Sequence, residues 1–257
     1  MLLAIDAGNT NIVFAVYDGE VQKQSWRIRT DGGRTEDEYT AWLYPLFQSA
    51  GLSFSDIQDA IISSVIPDEN RSLRELCQKT FQCDAFIIGS DFLDLGLPIR
   101  LSKPEEVGAD RLVNAVAVLT HYQAPAVIID FGTATTFDVI DGDGAYCGGV
   151  IAPGVNLSMK ALHGAAAKLP KVSVKQPDSV IGNDTVSAMQ SGLYWGYLSM
   201  IEGLIERISK EMGVEPLVLA TGGLASLFAE GTDRIQTVDE DLTLKGLLHI
   251  HQNILKR

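Results

Sequence analysis

Two short polar turns carry residue types that are suited to binding phosphate. The first follows the apolar residues 3–5 and reads Asp6-Ala-Gly-Asn-Thr-Asn11, and the second follows residues 126–129 and reads Asp130-Phe-Gly-Thr-Ala-Thr-Thr136. Carboxylates can hold a cation, while hydroxyls and backbone N–H groups of a glycine-containing turn can bind phosphate oxygens. Each turn is therefore a candidate site for an anionic ligand.

The two turns look like copies of one unit. Asp6-x-Gly8 matches Asp130-x-Gly132, and in both cases a strand-like stretch follows and ends at an Asp-Gly pair, at 18–19 and 141–142. Such a pair commonly closes a β-hairpin, so we predict a duplicated strand-turn-strand unit. Two facing hairpins of this kind could hold a polyphosphate from both sides.

The turns contain no lysine, and the chain has neither a Gly-x-x-x-x-Gly-Lys-Ser/Thr loop nor a Gly-x-Gly-x-x-Gly motif. Phosphate charge would then be met by backbone N–H groups, by hydroxyls such as Thr10, Thr133 and Thr135, and by Mg²⁺ near Asp6. A third glycine-rich element, Thr221-Gly-Gly-Leu224, could approach adenine or ribose closely. Taken alone, each of these three turns is about as often an ordinary turn as a binding site, because Gly, Asn, Asp and Thr are common turn residues.

Asp110 and Arg111 begin a predicted helix and allow two interpretations. In the first, Asp110 is a first-turn or capping acid and Arg111 is solvated. In the second, Asp110 accepts the proton of a substrate hydroxyl and Arg111 pairs with a substrate carboxylate. An ordinary carboxylate suffices for the second role, because a loose phosphoryl-transfer transition state demands mainly positioning.

Composition favours a globular protein that acts on small molecules. The chain has 257 residues, 46% of them hydrophobic, and a net charge of −13 that opposes binding to nucleic acid or to anionic membranes. We see neither a membrane span nor a signal peptide and expect a cytoplasmic protein. Three cysteines and four histidines show no disulfide, zinc or nucleophile pattern.

Hydrophobic periodicity predicts nearly the same element order in both halves: three strands, then helices alternating with further strands. Helices are predicted at 37–50, 71–81, 156–163 and 185–212, and strands include 21–29, 60–65 and 85–88. The prediction is an α/β protein of two duplicated domains with mixed sheets, residues 1–115 and 116–257, and a nucleotide cleft between them. Small residues among aromatics in helix 185–212 suit a dimer contact, although burial within one subunit explains them nearly as well.

Several motifs together closely resemble type III pantothenate kinases, within the superfamily of acetate and sugar kinases, heat-shock ATPases and actin. Besides the two acidic turns they are Gly108-Ala-Asp-Arg111, Gly148-Gly-Val-Ile-Ala-Pro-Gly154, Thr185 with Met189-Gln-Ser-Gly192, and Thr221-Gly-Gly223. The resemblance covers essentially the whole chain and implies ribonuclease H-like (actin-like ATPase) domains. It also implies ATP-dependent phosphorylation of pantothenate to 4'-phosphopantothenate, the first step of coenzyme A biosynthesis, by a homodimer that needs Mg²⁺ and K⁺ or NH₄⁺.

The resemblance assigns roles to individual residues. Asp110 would accept the proton, Thr133 would contact the γ-phosphate, and Asp130 would coordinate the monovalent cation, while Asp6 would hold Mg²⁺ directly or through water. Other residues would bind ATP phosphates (Asp6, Ala7, Gly8, Asn9, Thr10, Asn11, Ile12, Val13), adenosine (Gly222, Gly223) and pantothenate (Gly108, Ala109, Asp110, Arg111, and Thr185 from near the dimer interface).

One stretch departs from the family pattern. Leu101-Ser-Lys-Pro104 stands where many members have Tyr-Asp-Asn-Pro with the tyrosine near pantothenate, so no residue there is assigned to the substrate. Two other functions stay open: a non-catalytic transcriptional accessory protein on the same scaffold, and a kinase or phosphatase for another small carboxylate-bearing molecule. The intact acids and the acidic balance disfavour the first, and Arg111 suits a carboxylate in either enzyme.

Overall fold

A computed structural model describes residues 1–89, 94–165 and 169–255 of the chain. The chain forms two compact units. Unit 1 comprises Met1–Leu97, Lys103–His121 and Leu242–Arg257, and unit 2 comprises Pro98–Ser102 and Tyr122–Asp241. In the described residues no helix combines the length and the apolar character that crossing a membrane would require.

Unit 1 is built on a mixed five-stranded sheet in the order β3-β2-β1-β4-β5. Strand β2 is antiparallel to β1 and β3, whereas β1, β4 and β5 are parallel. The central strand β1 is buried on both faces, which agrees with its nearly continuous apolar sequence. The strands are β1 Leu2–Ala7, β2 Asn11–Asp18, β3 Val21–Arg29, β4 Asp59–Ser64 and β5 Ala85–Ile88.

Three helices of unit 1 are α1 Glu36–Ser49, α2 Pro67–Leu76 and α3 Ala109–His121. Helix α1 starts at a reciprocal cap between Thr35 and Glu38, and its apolar face packs with α2 on one face of the sheet. Helix α2 begins four residues before the predicted residue 71, because Pro67 occupies its first turn, where a missing N–H costs nothing. A single π-helical turn, Cys77–Phe81, then continues the chain to the predicted end.

Unit 2 repeats the architecture with a sheet in the order β10-β9-β6-β7-β8. Here β7 is antiparallel to β6 and β8, while β6, β9 and β10 are parallel. Each strand thus has a counterpart at the same place in the first sheet, and the predicted duplication of α/β units with mixed sheets is confirmed. The strands are β6 Ala126–Phe131, β7 Ala134–Ile140, β8 Tyr146–Pro153, β9 Leu217–Gly222 and β10 Thr237–Val238.

Helices α4 Val155–Ala165, α5 Thr185–Met212 and α6 Ala225–Ala229 pack on one face of this second sheet. The bounds of α5 match the prediction because both ends carry strong signals. Asp184 accepts the N–H of Ser187 at 2.8 Å as an N-cap, and the chain leaves the helix at Gly213 in a left-handed conformation.

The closing helix α7, Leu242–Ile250, returns to unit 1 and packs against α3. The helices approach closely, since a Cβ on Gly246 would lie 2.3 Å from the carbonyl oxygen of Val113. Thr243 also donates a hydrogen bond of 2.8 Å to Asn114 Oδ1. The predicted boundary at residue 115 would cut α3. The contacts instead keep α3 whole in unit 1 and place α7 with it.

Candidate functional site

Asp6 and Asp130 occupy equivalent positions at the carboxyl ends of the two central strands. In both β1 and β6 the acid is the one residue that is partly exposed, while the other five are buried. Asp6 pairs in register with Val13 and Ser63, and Asp130 pairs with Thr136 and Thr221. The duplication therefore places one partly exposed acid at the carboxyl end of the central strand of each sheet.

The turn after β1 presents an exposed polar surface on a tightly closed backbone. Gly8 donates its N–H to the carbonyl of Asn11 at 3.0 Å, and Asn9, Thr10 and Asn11 are exposed. Three successive exposed residues with polar side chains, in a turn that also offers backbone N–H groups, suit phosphate oxygens. The side chains of the neighbouring Ala7 and Ile12 are buried, so these two residues could meet a ligand only through their backbone.

The carboxyl of Asp6 lies in a strongly perturbing environment. Burial and, to a smaller extent, the charge of Asp110 raise its pKa from 3.8 to about 7, while Arg27 opposes both effects. A cation near Asp6 would favour its ionised form by the same electrostatics. The described residues hold no group of three or more His, Cys, Asp or Glu that could form a metal cage. One or two carboxylates nevertheless fit Mg²⁺, which commonly keeps several waters and binds substrate phosphates.

Asp110 lies in the first turn of α3, and its carboxylate is held by the backbone. Its Oδ1 accepts the N–H of Arg111 at 2.8 Å, as a first-turn acid does. The preceding Gly108 leaves room for this conformation, because a Cβ there would lie 2.6 Å from the same oxygen. Arg111 is half-buried. The same Asp110 carboxylate therefore contacts the start of α3 and lies close to Asp6. The two interpretations of Asp110 do not exclude each other.

Asp130 is closely packed against the end of β9. Gly222 adopts a positive φ of 88°, and a Cβ there would lie 2.7 Å from Asp130 Oδ1 and 2.9 Å from the backbone of Phe131. Only glycine fits such a place without strain. Glycine is therefore required at position 222 by the close approach of β6, whatever the role of Gly222 toward adenosine. Gly223, in contrast, is exposed and has open space where a side chain would project.

Thr133 lies exposed in the turn between β6 and β7. Gly154, at the end of β8, approaches this turn closely, since a Cβ would lie 2.2 Å from the Thr133 carbonyl oxygen and 2.9 Å from that of Gly132. The turn is thus backed by main chain, and the Thr133 side chain is accessible to a ligand.

Thr185 stands at the first position of α5, exposed, beside a groove between α4 and α5. The groove has a volume of about 690 Å³ and a mainly apolar lining that includes Leu162, Met189 and Tyr197. Ile181, with 86% of its surface exposed, lies in the segment just before α5. Leu101, at the position that departs from the family pattern, packs on Gly148, where a Cβ would lie 2.9 Å from Leu101 Cδ2.

Sequence reasoning missed one buried hydroxyl near Asp6. Ser63 is fully buried next to Asp6 in the parallel ladder, and its hydroxyl has no hydrogen-bond partner among the described residues. Thr221 has the equivalent position beside Asp130. The sequence signal for these hydroxyls requires two observations together. Each hydroxyl lies near the end of a strand, and that strand pairs in parallel with a strand that carries an acid.

The topology of the two units identifies the fold. Two units with sheets of equivalent order, each with an acid at the end of its central strand, form the duplicated ribonuclease H-like fold of actin-like ATPases and sugar kinases. A candidate 2-dehydro-3-deoxygalactonokinase of Sinorhizobium meliloti superposes with a TM-score of 0.61 at 12% identity, covering 98% of this chain and 97% of that chain. A Campylobacter jejuni protein described as a conserved candidate Baf family transcriptional activator superposes with a TM-score of 0.64 at 19% identity, covering 98% of both chains.

Sequence comparison narrows the class. The type III pantothenate kinase family matches residues 2–207. The type III pantothenate kinase of Paramagnetospirillum magneticum is 59% identical over 252 residues, which span 98% of this chain and 97% of that protein. The chain belongs to the type III pantothenate kinase family, and the resemblance inferred from its motifs is confirmed.

Proposed function

We propose that the protein transfers the γ-phosphoryl group of ATP to the primary hydroxyl of pantothenate in the cytoplasm and so forms 4'-phosphopantothenate and ADP, the first step of coenzyme A biosynthesis. The observation that carries the proposal is the carboxylate pair of unit 1: Asp110 lies close enough to Asp6 to raise its pKa, next to an exposed turn suited to phosphate. Family membership supports the same reaction.

Asp110 acts as the proton acceptor. The alcohol oxygen attacks the γ-phosphorus, the bond to the β-phosphate oxygen breaks, and the hydroxyl proton passes to the Asp110 carboxylate. The carboxylate is held in place by the Arg111 N–H, so its position does not depend on the substrate. Such positioning is the main demand of a loose transition state.

ATP binding is assigned to Asp6, Ala7, Gly8, Asn9, Thr10, Asn11, Ile12 and Val13 for the phosphates, Thr133 for the γ-phosphate, and Gly222 and Gly223 for adenosine. Asp6 would hold Mg²⁺ directly or through water, and that ion would neutralise phosphate charge when bound. The exposed turn residues and the accessible Gly223 support these assignments. Gly222 has no side chain, which lets the backbone at the end of β9 approach Asp130 closely.

Pantothenate is assigned to Gly108–Arg111 and to Thr185. The half-buried guanidinium of Arg111 suits the pantothenate carboxylate, which a planar fork of donors can bind in bidentate fashion. We assign the face of α5, with the apolar groove and the exposed Ile181, to a homodimer contact that buries this surface. Asp130 is assigned to K⁺ or NH₄⁺, for which carboxylate and backbone oxygens are suitable ligands.

A coupled assay of ADP release and product formation tests the proposal. Purified protein with MgATP and pantothenate should form phosphopantothenate, and omission of K⁺ and NH₄⁺ should lower the rate. Alcohols without a carboxylate, such as pantothenol, should be poorer substrates. If no phosphopantothenate forms with Mg²⁺ and K⁺ present, while another carboxylate-bearing alcohol is phosphorylated, the substrate assignment is wrong and the kinase class stands.

A further inference from the structure

Thr30, the residue directly after β3, holds the turn that follows β1. Its hydroxyl donates a hydrogen bond of 2.6 Å to the carbonyl of Gly8, and its backbone N–H donates one of 3.0 Å to the carbonyl of Thr10. One residue thus fixes two of the peptide groups in a turn whose side chains are exposed. None of the roles assigned above includes Thr30.

These two bonds fix the direction of N–H groups in the turn. In a planar trans peptide the carbonyl and the following N–H point in opposite directions. With the Gly8 carbonyl directed at Thr30, the Asn9 N–H must therefore point away from Thr30. The bond from the Thr30 N–H to the Thr10 carbonyl likewise directs the N–H of Asn11 away from Thr30. Rotation of either peptide group would break a hydrogen bond.

The chain after Thr30 is itself anchored to the helices of unit 1. The buried carboxylate of Glu69 in α2 accepts the N–H of Gly33 at 3.3 Å and the hydroxyl of Tyr39 at 2.9 Å. The segment that carries Thr30 therefore connects to both α1 and α2. Thr30 is held from both sides, by β3 before it and by this anchor three residues after it.

The internal repeat supports a positioning role at this place. Asn11 pairs with Arg29, and Thr30 follows; in unit 2, Ala134 pairs with Pro153, and Gly154 follows. Gly154 contacts the carbonyl side of the equivalent turn through close backbone approach rather than through a hydroxyl. In both units the residue after the third strand thus supports the first turn from the carbonyl side.

We propose that Thr30 is a positioning residue for ATP, which orients the N–H groups of the Gly8–Asn11 turn toward the phosphates without touching the nucleotide. The inference rests on the proposed function only in taking this turn as a phosphate site. Loss of the hydroxyl frees the Gly8 peptide, so part of the binding energy of ATP is spent on ordering the turn.

The test compares Thr30→Val, which keeps the shape and removes the hydroxyl, with Thr30→Ser, which keeps the hydroxyl. Thr120→Val is the matched control, because Thr120 also donates to a backbone carbonyl, that of Val116 at 2.8 Å, but lies near the far end of α3. We expect Thr30→Val to raise Kd and KM for MgATP about tenfold, the usual effect of about one hydrogen bond. KM for pantothenate should stay near wild type in all three variants, and Kd and KM for MgATP should do so in Thr30→Ser and Thr120→Val. The melting temperature should fall by a similar small amount in Thr30→Val and Thr120→Val, because each loses one hydrogen bond to a backbone carbonyl.

Equal MgATP affinity of Thr30→Val and wild type would overturn the inference, as would an equal loss in Thr30→Ser or in Thr120→Val. If Thr30→Val fails to fold, Thr30→Ala takes its place, because Thr30 is partly exposed and a smaller side chain demands no space. Calorimetric binding of MgATP separates this inference from the proposed function. A wild-type protein that binds MgATP and leaves pantothenate unchanged refutes the function, and the ratio of Kd values still decides the role of Thr30.

Discussion

Replacing Asp6 with asparagine should stabilise the ligand-free protein above neutral pH while it removes kinase activity. In the folded chain, burial and then the charge of Asp110 raise the pKa of Asp6 from 3.8 to about 7, against the opposite effect of Arg27. The native state therefore binds this proton more tightly than the unfolded state. Stability falls as pH rises from about 4 to about 7 and is constant above that range.

The size of the effect follows from the same values. A difference of about three pKa units corresponds to about 4 kcal/mol at most, at 1.36 kcal/mol per unit. Of this, about 2 kcal/mol should be lost between pH 5.5 and pH 8.5, because the unfolded carboxyl is already ionised at the lower pH while the folded one is not. Asparagine keeps the shape of the carboxyl and has no proton to lose, so the variant should lack this part of the slope.

Urea unfolding in the absence of Mg²⁺ and nucleotide measures the difference. The stability of Asp6→Asn minus that of wild type should grow by about 2 kcal/mol from pH 5.5 to pH 8.5. Asp178→Asn, the same change at an exposed acid of unit 2, is the matched control. In Asp110→Asn the wild-type slope should move to lower pH. Parallel pH curves for Asp6→Asn and wild type would refute the reasoning.

The kinetics of Asp110→Asn and the stability of two glycine variants, one of them with a matched control, test separate contacts. Asp110→Asn should lower kcat by about 10² to 10⁴ with MgATP binding retained, and loss of the fold instead would leave Asp110 only its role in the helix. Gly222→Ala should destabilise by about 2 kcal/mol or more in urea unfolding; Gly19→Ala, at a positive φ of 62° with open space around it, should cost only about 1 kcal/mol. Gly246→Ala should lower the melting temperature although alanine favours helices, because its Cβ would meet the Val113 carbonyl. A rise in the melting temperature would show that α3 and α7 can move apart freely.

In the acid pair of unit 1, one residue both stabilises a helix and perturbs a neighbouring carboxyl. Asp110 accepts a backbone N–H, which is a stabilising contact for the start of α3. Its charge nevertheless destabilises the ionised form of Asp6. A cation bound at Asp6 would relieve this repulsion, so ligand-free protein should be less stable than protein with MgATP, in the manner of any ligand that binds only the folded state.

Local signals determined most elements of this protein. The hairpin turns, the bounds of β3 and α5, and the repeated order of strands follow from periodicity, turn residues and caps, which act within a few residues along the chain. The same signals placed Asp6 and Asp130 at strand ends. The predicted start of the second helix at residue 71 is wrong, because Pro67 occupies the first turn of α2, where a proline can begin a helix.

Which distant residues meet depends on packing between elements that are far apart in the sequence. That α7 packs on α3, that Thr30 holds the Gly8 turn, and that Ser63 lies beside Asp6 depend on contacts across 20 or more positions. The raised pKa of Asp6 has the same origin, since burial and the charge of a residue on another element produce it. The chain itself specifies an acid at the end of each central strand. Its environment comes from packing, because desolvation and Coulomb energy depend on distances in space and not on distances in sequence.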